Sequence, residues 1–433
     1  MSIQGKKITV VMFGFLIACI SGLFIARYNM GGVFLEHSQN IKTLSIFLVM
    51  CTLIVFFISL TAGRYKDISK IIYMGFAVRL ITLMAIGFFG ILPYTYDSGW
   101  DGLAQHLLVN WHSGSWDGAF IESPNVRYYT FLATAVYYIF GYNPIFMMLL
   151  NVLWGTLTIV VIYSIANLLF DKKSAIISAS FIAFWPTHIM FSAMNMRDSL
   201  AVLLMVLFIL NFLKWIKTPK ASLLLNVLLL IIGNTLIRSQ NAVIISVVAA
   251  PIIFYFLFKR SDPYLKPIYI MVGIVGVLGA VAAMYALGYS SYLDIDYITR
   301  EMNYRADGGA AYLTSLNYTS WLDVLLYLPL RFIYFLFSPF LWDVSNTPQA
   351  LSAIEGLLLM AMSVVVLRKR KMIGKITKNK HLLWAFVIFC IIGLGANSII
   401  DSNSGTAVRH KLQYLSVIFV LYGATKYKHS EEQ

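Results

Sequence analysis

Window after window of about 20 residues in this chain carries almost no charge, and that feature restricts the fold more than any other. A helix of that length covers the roughly 30 Å hydrocarbon core of a bilayer. Backbone groups in lipid must be satisfied within their own segment, so the windows are helices and not strands. The whole chain is 59% hydrophobic and 12% charged, against roughly 25% charged in a soluble domain. The fold class is therefore all-α, a polytopic transmembrane helical protein. Spans are expected at about 8–26, 43–62, 71–93, 143–169, 174–190, 199–215, 222–237, 240–258, 268–288, 349–367, 382–399 and 411–426.

Charge orients these twelve spans. With the N-terminus in the cytoplasm, Arg64, Lys66 and Lys70 fall inside, as do Lys172 and Lys173 and the group Lys214, Lys217 and Lys220. The same choice places Lys259, Arg260, Lys266 and the run LRKRKMIGKITKNK there, together with the tail. Because the formal charge of +14 sits in such loops, it speaks for membrane orientation and gives no support to nucleic acid as a partner. The first apolar stretch lacks a small-residue cleavage site and reads as an uncleaved span. Residues 1–70 are expected to hold two extra N-terminal helices, 71–427 a core with outer loops 93–142 and 289–348, and 428–433 a cytoplasmic tail. Two segments are expected not to cross. Ser320–Asn346 carries Asp323, Pro329, Arg331 and Pro339 and suits a surface or re-entrant helix, and Arg127–Gly141 is too short. Cys19, Cys51 and Cys390 fall inside apolar spans as small core residues.

The first long polar interval, Pro93–Asn125, holds Asp97, Asp101, Asp117 and Glu122 with His106, His112 and three tryptophans. From Trp100 the pattern puts Trp100, Leu103, Ala104, Leu107 and Leu108 on one helix face, with Asp97 or Ser98 at its start. Asp97 is either that helix's cap or a general base held at the membrane surface. Asp101, a turn further on, could orient Asp97, bind a metal or contact a sugar. Arginines also gather on the side that the positive-inside rule should deplete: Arg127, Arg197, Arg238, Arg300, Arg305, Arg331 and Arg409, with Lys411. They could snorkel or pair with Asp198, Asp294, Asp296, Glu301 and Asp307, or grip a phosphate through bidentate bonds. The spacing of His106 and His112 makes no helical metal pair, and no zinc, P-loop or Rossmann pattern occurs. No metal ligands are assigned. Arg79, inside the third span, has no sequence-level explanation.

From about Ile71 to Lys411 the chain resembles the polytopic glycosyltransferases of the GT-C superfamily. It is most similar to the bacterial branch related to dolichyl-phosphate-mannose protein mannosyltransferases and aminoarabinose transferase. YDSGWDGLAQHLL looks like that family's acidic motif after the first core span. RYYTFLATAVYYIFGYNPIFMMLLNVLWGTLTIVVIYSIANLLF resembles its surface helix, corner and following span, and FWPTHIMFSAMNMRDSLAVLLMVLFIL its pair of spans with an acidic outer turn at Asp198. IRSQNAVIISVV and RHKLQYLSVIF are similar to its later basic motifs, with Ser239 where proline is usual. The acidic motif here is Asp-Ser where the protein mannosyltransferases have Asp-Glu, which tells against protein as acceptor.

The resemblance implies an inverting transferase using a polyprenyl-phosphate-linked sugar, with a cell-surface glycan or lipid as acceptor. Asp97 would be its catalytic base with Asp101 beside it. Arg409, Arg238 and Arg197, with His410 and Lys411, would hold the donor phosphate. Trp100, His106 and Asp198 would contact substrate, and Trp111, Trp116 and Trp342 would stack on sugars or sit in the interface. No cofactor is implied, and a divalent cation (Mg or Mn) is left open. The expected setting is the bacterial plasma membrane, with both termini cytoplasmic, the site on the outer face and membrane lipids as further partners. The alternatives are a surface polysaccharide polymerase or ligase, and a lipid-linked sugar transporter.

Overall fold

The computed structural model describes residues 41–90, 98–116, 118, 121, 124–260, 271, 294–306 and 309–426. Among them are seventeen α-helices and no strand, only one isolated bridge between Ala311 and Asn403. In chain order they are α1 (Ile41–Arg64), α2 (Ser69–Gly87), α3 (Ser98–His112), α4 (Pro124–Phe140), α5 (Pro144–Leu169) and α6 (Lys172–Phe184). Next come α7 (Pro186–Ala193), α8 (Asp198–Lys217), α9 (Ala221–Ile237), α10 (Gln240–Arg260), α11 (Ile295–Arg305) and α12 (Trp321–Phe337). Last are α13 (Thr347–Arg368), α14 (Arg370–Ile376), α15 (Lys380–Ile400), α16 (Ser404–Lys411) and α17 (Ser416–Ala424). Six of the described helices are long and apolar enough to cross a membrane, and the pair α6–α7 would make a seventh if it counts as one span. The expected span 8–26 lies outside the described residues, as does 268–288 apart from residue 271.

Two expected spans differ from single straight helices. The 174–190 stretch is broken at Trp185 and bends by 55° between α6 and α7. Pro186 causes the break: it has no N–H to give the Ile182 carbonyl, and its ring crowds the preceding turn. The 411–426 stretch is divided, because α16 ends at Lys411 and α17 begins at Ser416. α17 is only 9 residues long, and Val417, Ile418, Phe419 and Val420 are all buried, so it packs within protein.

The chain forms two compact units. The first comprises the described residues of Met1–Ser164, Ala175–Leu204 and Leu236–Ser239, and the second those of Ile165–Ser174, Met205–Thr235 and Gln240–Gln433. In the first unit α1 packs on α2, α3 pairs with α4, and α2 lies along α7. Arg79, on α2 and fully buried, accounts for itself here. Its Nη1 donates to the carbonyls of Gly75 and Ala183, both at 2.9 Å, and its Nη2 to that of Ile182 at 3.1 Å. The second and third are the acceptors that the Pro186 break strips of their helical partners. Arg79 thus caps the end of α6. Its Nη2 also lies 2.7 Å from His188 Nδ1, which must accept and so puts the imidazole proton on Nε2. The approach is close enough to need Gly155, where a Cβ would collide with Ser192 Oγ.

In the second unit, a capping box at Ser320 and Asp323 starts α12. One side of α12 buries Val324, Arg331, Phe335 and Leu336, while Leu322, Leu325, Leu326, Leu330 and Ile333 are exposed. The carbonyl of Phe337 abuts Gly356, which leaves no room for a side chain there. Gly356 lies nine residues into α13, or ~14 Å from its start. α12 therefore descends alongside α13, and residues 338–346 carry the chain back to the capped N-terminus of α13, where Asn346 Oδ1 accepts from Gln349 N at 3.0 Å.

Candidate functional site

In the first unit, α3 buries Trp100, Ala104, Leu107 and Leu108, four of the five residues expected on its apolar face, with Leu103 half-buried. Trp100 meets Tyr129 of α4 edge to face at 4.8 Å. Asp101 is drawn in beside this face and is also buried. Its Oδ1 accepts from Tyr137 Oη at 2.8 Å and Asn195 Nδ2 at 3.2 Å, and its Oδ2 from Tyr142 Oη at 2.8 Å. A single carboxylate so ties α3, α4, the link before α5 and the turn after α7 together. Three donors offset much of the cost of burying its charge.

That turn, Met194–Asp198, is held from both sides. Asn151 Nδ2 donates to the Met194 carbonyl at 2.8 Å, and Ser199 Oγ to the Asn151 carbonyl at 3.0 Å. Asp198 and Arg238 form a buried ion pair, each side chain 1% exposed. The carboxylate occupies the first turn of α8 and the guanidinium follows the last residue of α9, so each charge sits at the helix end whose dipole favours it. Burial pushes the Tyr129 phenol upward, as do the nearby carboxylates of Asp198 and Asp101. The Asn151 bond and Arg197 work the other way.

The second unit holds a separate polar centre on Asp401, directly after α15. Its Oδ1 lies 2.6 Å from Arg305 Nη1 and its Oδ2 2.6 Å from His410 Nδ1. Arg331 Nε donates to the Ser398 carbonyl at 2.9 Å, and its Nη2 to the Asp401 carbonyl at 2.8 Å and Ser402 Oγ at 2.9 Å. Tyr312 Oη adds a bond to the Asp401 carbonyl at 2.8 Å. Burial acts to raise the pKa of Asp401, but His410 and Arg305 outweigh it and leave it below the usual 3.8. Lys411 is buried and donates to the Leu336 carbonyl at 2.8 Å, with Glu355 of α13 exerting a further attraction.

The expected site residues thus fall in several settings. Asp97, Asp117 and Glu122 lie outside the described residues; α3 begins at Ser98, the next residue after Asp97. Asp101, Asp198 and Arg238 are buried and held by partners in the first unit, with Arg197 half-buried in the same turn. His106 is exposed, and Trp100 is covered by Tyr129. In the second unit His410 and Lys411 point into protein, while Arg409 just before them is half-buried. Among the described residues no group of three or more His, Cys, Asp or Glu side chains converges as metal ligands. Asp401 was not singled out by the sequence reading. Its signal was an acid closing a long apolar run, with Arg-His-Lys eight to ten residues later.

Comparison with known proteins adds the class. Residues 127–286, over a third of the chain, match the profile of the dolichyl-phosphate-mannose-protein mannosyltransferase family. The stretch runs from α4 past the end of α10 and takes in Arg197, Asp198 and Arg238, agreeing with the resemblance seen in the sequence. It indicates a membrane glycosyltransferase of the GT-C type. Curated proteins and solved structures gave no match.

Proposed function

We propose that the protein transfers a sugar from a polyprenyl-phosphate-linked donor to a glycan or lipid acceptor at the outer face of the cell membrane, with Asp97 as general base. The match of residues 127–286 to a glycosyltransferase family carries the reaction class. The basic loops, gathered where the positive-inside rule puts the cytoplasm, support the orientation. In the step, Asp97 takes the proton of the acceptor hydroxyl as its oxygen bonds to the anomeric carbon. The bond from that carbon to the phosphate oxygen breaks, its electron pair stays on the oxygen, and the configuration inverts. Arg197 binds the phosphate and stabilises the charge that grows on it. Arg238, turned to Asp198, holds the Met194–Asp198 turn that presents Arg197. Asp101, His410 and Lys411 keep their surroundings in place.

The test uses purified protein and its Asp97→Asn variant with native lipid extract, following release of polyprenyl phosphate. The variant is expected to lose about 100-fold or more in rate while its melting transition stays put. Full activity in the variant would sink the assignment of the base.

A further inference from the structure

The return segment after α12 encloses a small cavity of ≈ 30 Å³, lined by Tyr312, Ser338, Pro339, Asp343, Gln349 and Ser404 among others. Gln349 is fully engaged: its Oε1 accepts from Ser345 N at 2.8 Å and Ser345 Oγ at 2.7 Å, and its Nε2 donates to the Gly309 carbonyl at 3.3 Å. Ser338 differs. It is 1% exposed, and its Oγ finds no hydrogen-bond partner among the described residues, a costly state for a buried hydroxyl. On the open side, Asp343 is exposed, held by a bond from Phe340 N to its Oδ2 at 3.2 Å. The neighbouring Trp342 is 76% exposed, and its ring stacks on Phe340 at 4.8 Å with planes 9° apart. One indole face is supported and the other lies open.

We propose that this turn is a carbohydrate subsite that seats a pyranose ring of the glycan acceptor, an inference that rests on the glycosyltransferase reading. The apolar C–H face of the sugar lies on the free face of Trp342, ring hydroxyls donate to Asp343, and the terminal hydroxyl of a hydroxymethyl group reaches into the cavity to meet Ser338. The cavity has room for a group of about the size of a water molecule and none for a lipid chain. A carboxylate and an unpaired hydroxyl in one turn also penalise acyl chains, whereas sugar hydroxyls satisfy both. An aromatic face beside a few fixed polar groups is the usual make-up of a small-ligand site.

The experiment places the full chain in nanodiscs and reads saturation-transfer NMR from methyl α- and β-pyranosides of glucose, galactose, mannose and N-acetylglucosamine. At least one glycoside is expected to take up saturation from the wild type. The signal should fall about fivefold in W342A, the size expected of one aromatic contact, and fall likewise in D343N and S338A. W342F should keep most of it, which separates loss of the platform from loss of the fold. The proposal is overturned if no glycoside in the panel responds, or if W342A keeps the full signal. It is overturned equally if the glycoside signal is indifferent to all three variants while brominated acyl chains quench the wild type more than W342F, which would make Trp342 a lipid anchor. D97N serves as the separate control. Full transfer by D97N would remove the base and leave the subsite standing, while absent glycoside binding removes the subsite and leaves the transfer reaction untouched.

Discussion

Asp401 Oδ2 stands 2.6 Å from His410 Nδ1, so the end of α15 is fastened to the end of α16 across the short Ser402–Asn403 link. With Arg305 on its other oxygen, one carboxylate fixes three segments of the second unit. Asp401→Ala leaves the Arg305 guanidinium and the His410 imidazole without their common carboxylate, and it is expected to destabilise by about 3 kcal/mol. Thermal melting in detergent measures this; an unchanged transition would show that the cluster is held by other contacts.

The same carboxylate sets an acid limit. Its folded pKa lies below the ordinary 3.8, so the unfolded chain takes up its proton first as pH drops. The stabilisation is therefore complete above that ordinary value and is lost as pH falls through the lower folded one. Melting temperature attributable to Asp401 should stay flat from neutral pH to about pH 4 and drop below it. Asp401→Asn should flatten that acid limb, which a comparison of the two melting profiles tests.

Arg79 and Pro186 should be thermodynamically coupled. Arg79→Met leaves the Ile182 and Ala183 carbonyls unmet at the α6 break, costing about 1–3 kcal/mol for each. In a Pro186→Ala background the helix can recover an N–H for Ile182, and the same substitution should cost less. A double-mutant cycle with a coupling energy near zero would refute the capping role.

Asp198 and Arg238 form a second test of pairing. Removing either charge alone strands the other in a buried site, at about 3–5 kcal/mol. The double variant Asp198→Leu, Arg238→Leu should recover part of that loss. Greater damage from the double change than from the sum of the single ones would mean that both side chains have other work in the first unit.

Much of this architecture could be read from the chain, for a simple reason. Apolar runs bounded by Lys and Arg report their own extent as helices, and the α3 face reported its period through Trp100, Ala104, Leu107 and Leu108. Arg79 and Arg331 were visible as oddities, but their purpose was not. Each caps carbonyls about 70 to 100 residues distant in sequence, and only the fold reveals which helix end is left open there. Asp101 was legible as a polar residue at a helix start, yet its partners Tyr137, Tyr142 and Asn195 come from three other segments, and no periodicity connects them. Asp401 escaped notice because it stands alone in the sequence and acquires Arg305 and His410 only when the segments meet.

The capping of α6 by Arg79 also carries a consequence for biosynthesis. Ile182 and Ala183 lie 103 and 104 residues beyond Arg79, so α2 is synthesised long before its acceptors exist. An isolated arginine in hydrocarbon is penalised, and α2 alone offers it only the Gly75 carbonyl. Stable lodging of α2 in lipid therefore awaits the emergence of α6 and α7, and the first unit assembles as a set of helices handed over together, with the kink at Pro186 as the point at which the early helix is finally locked.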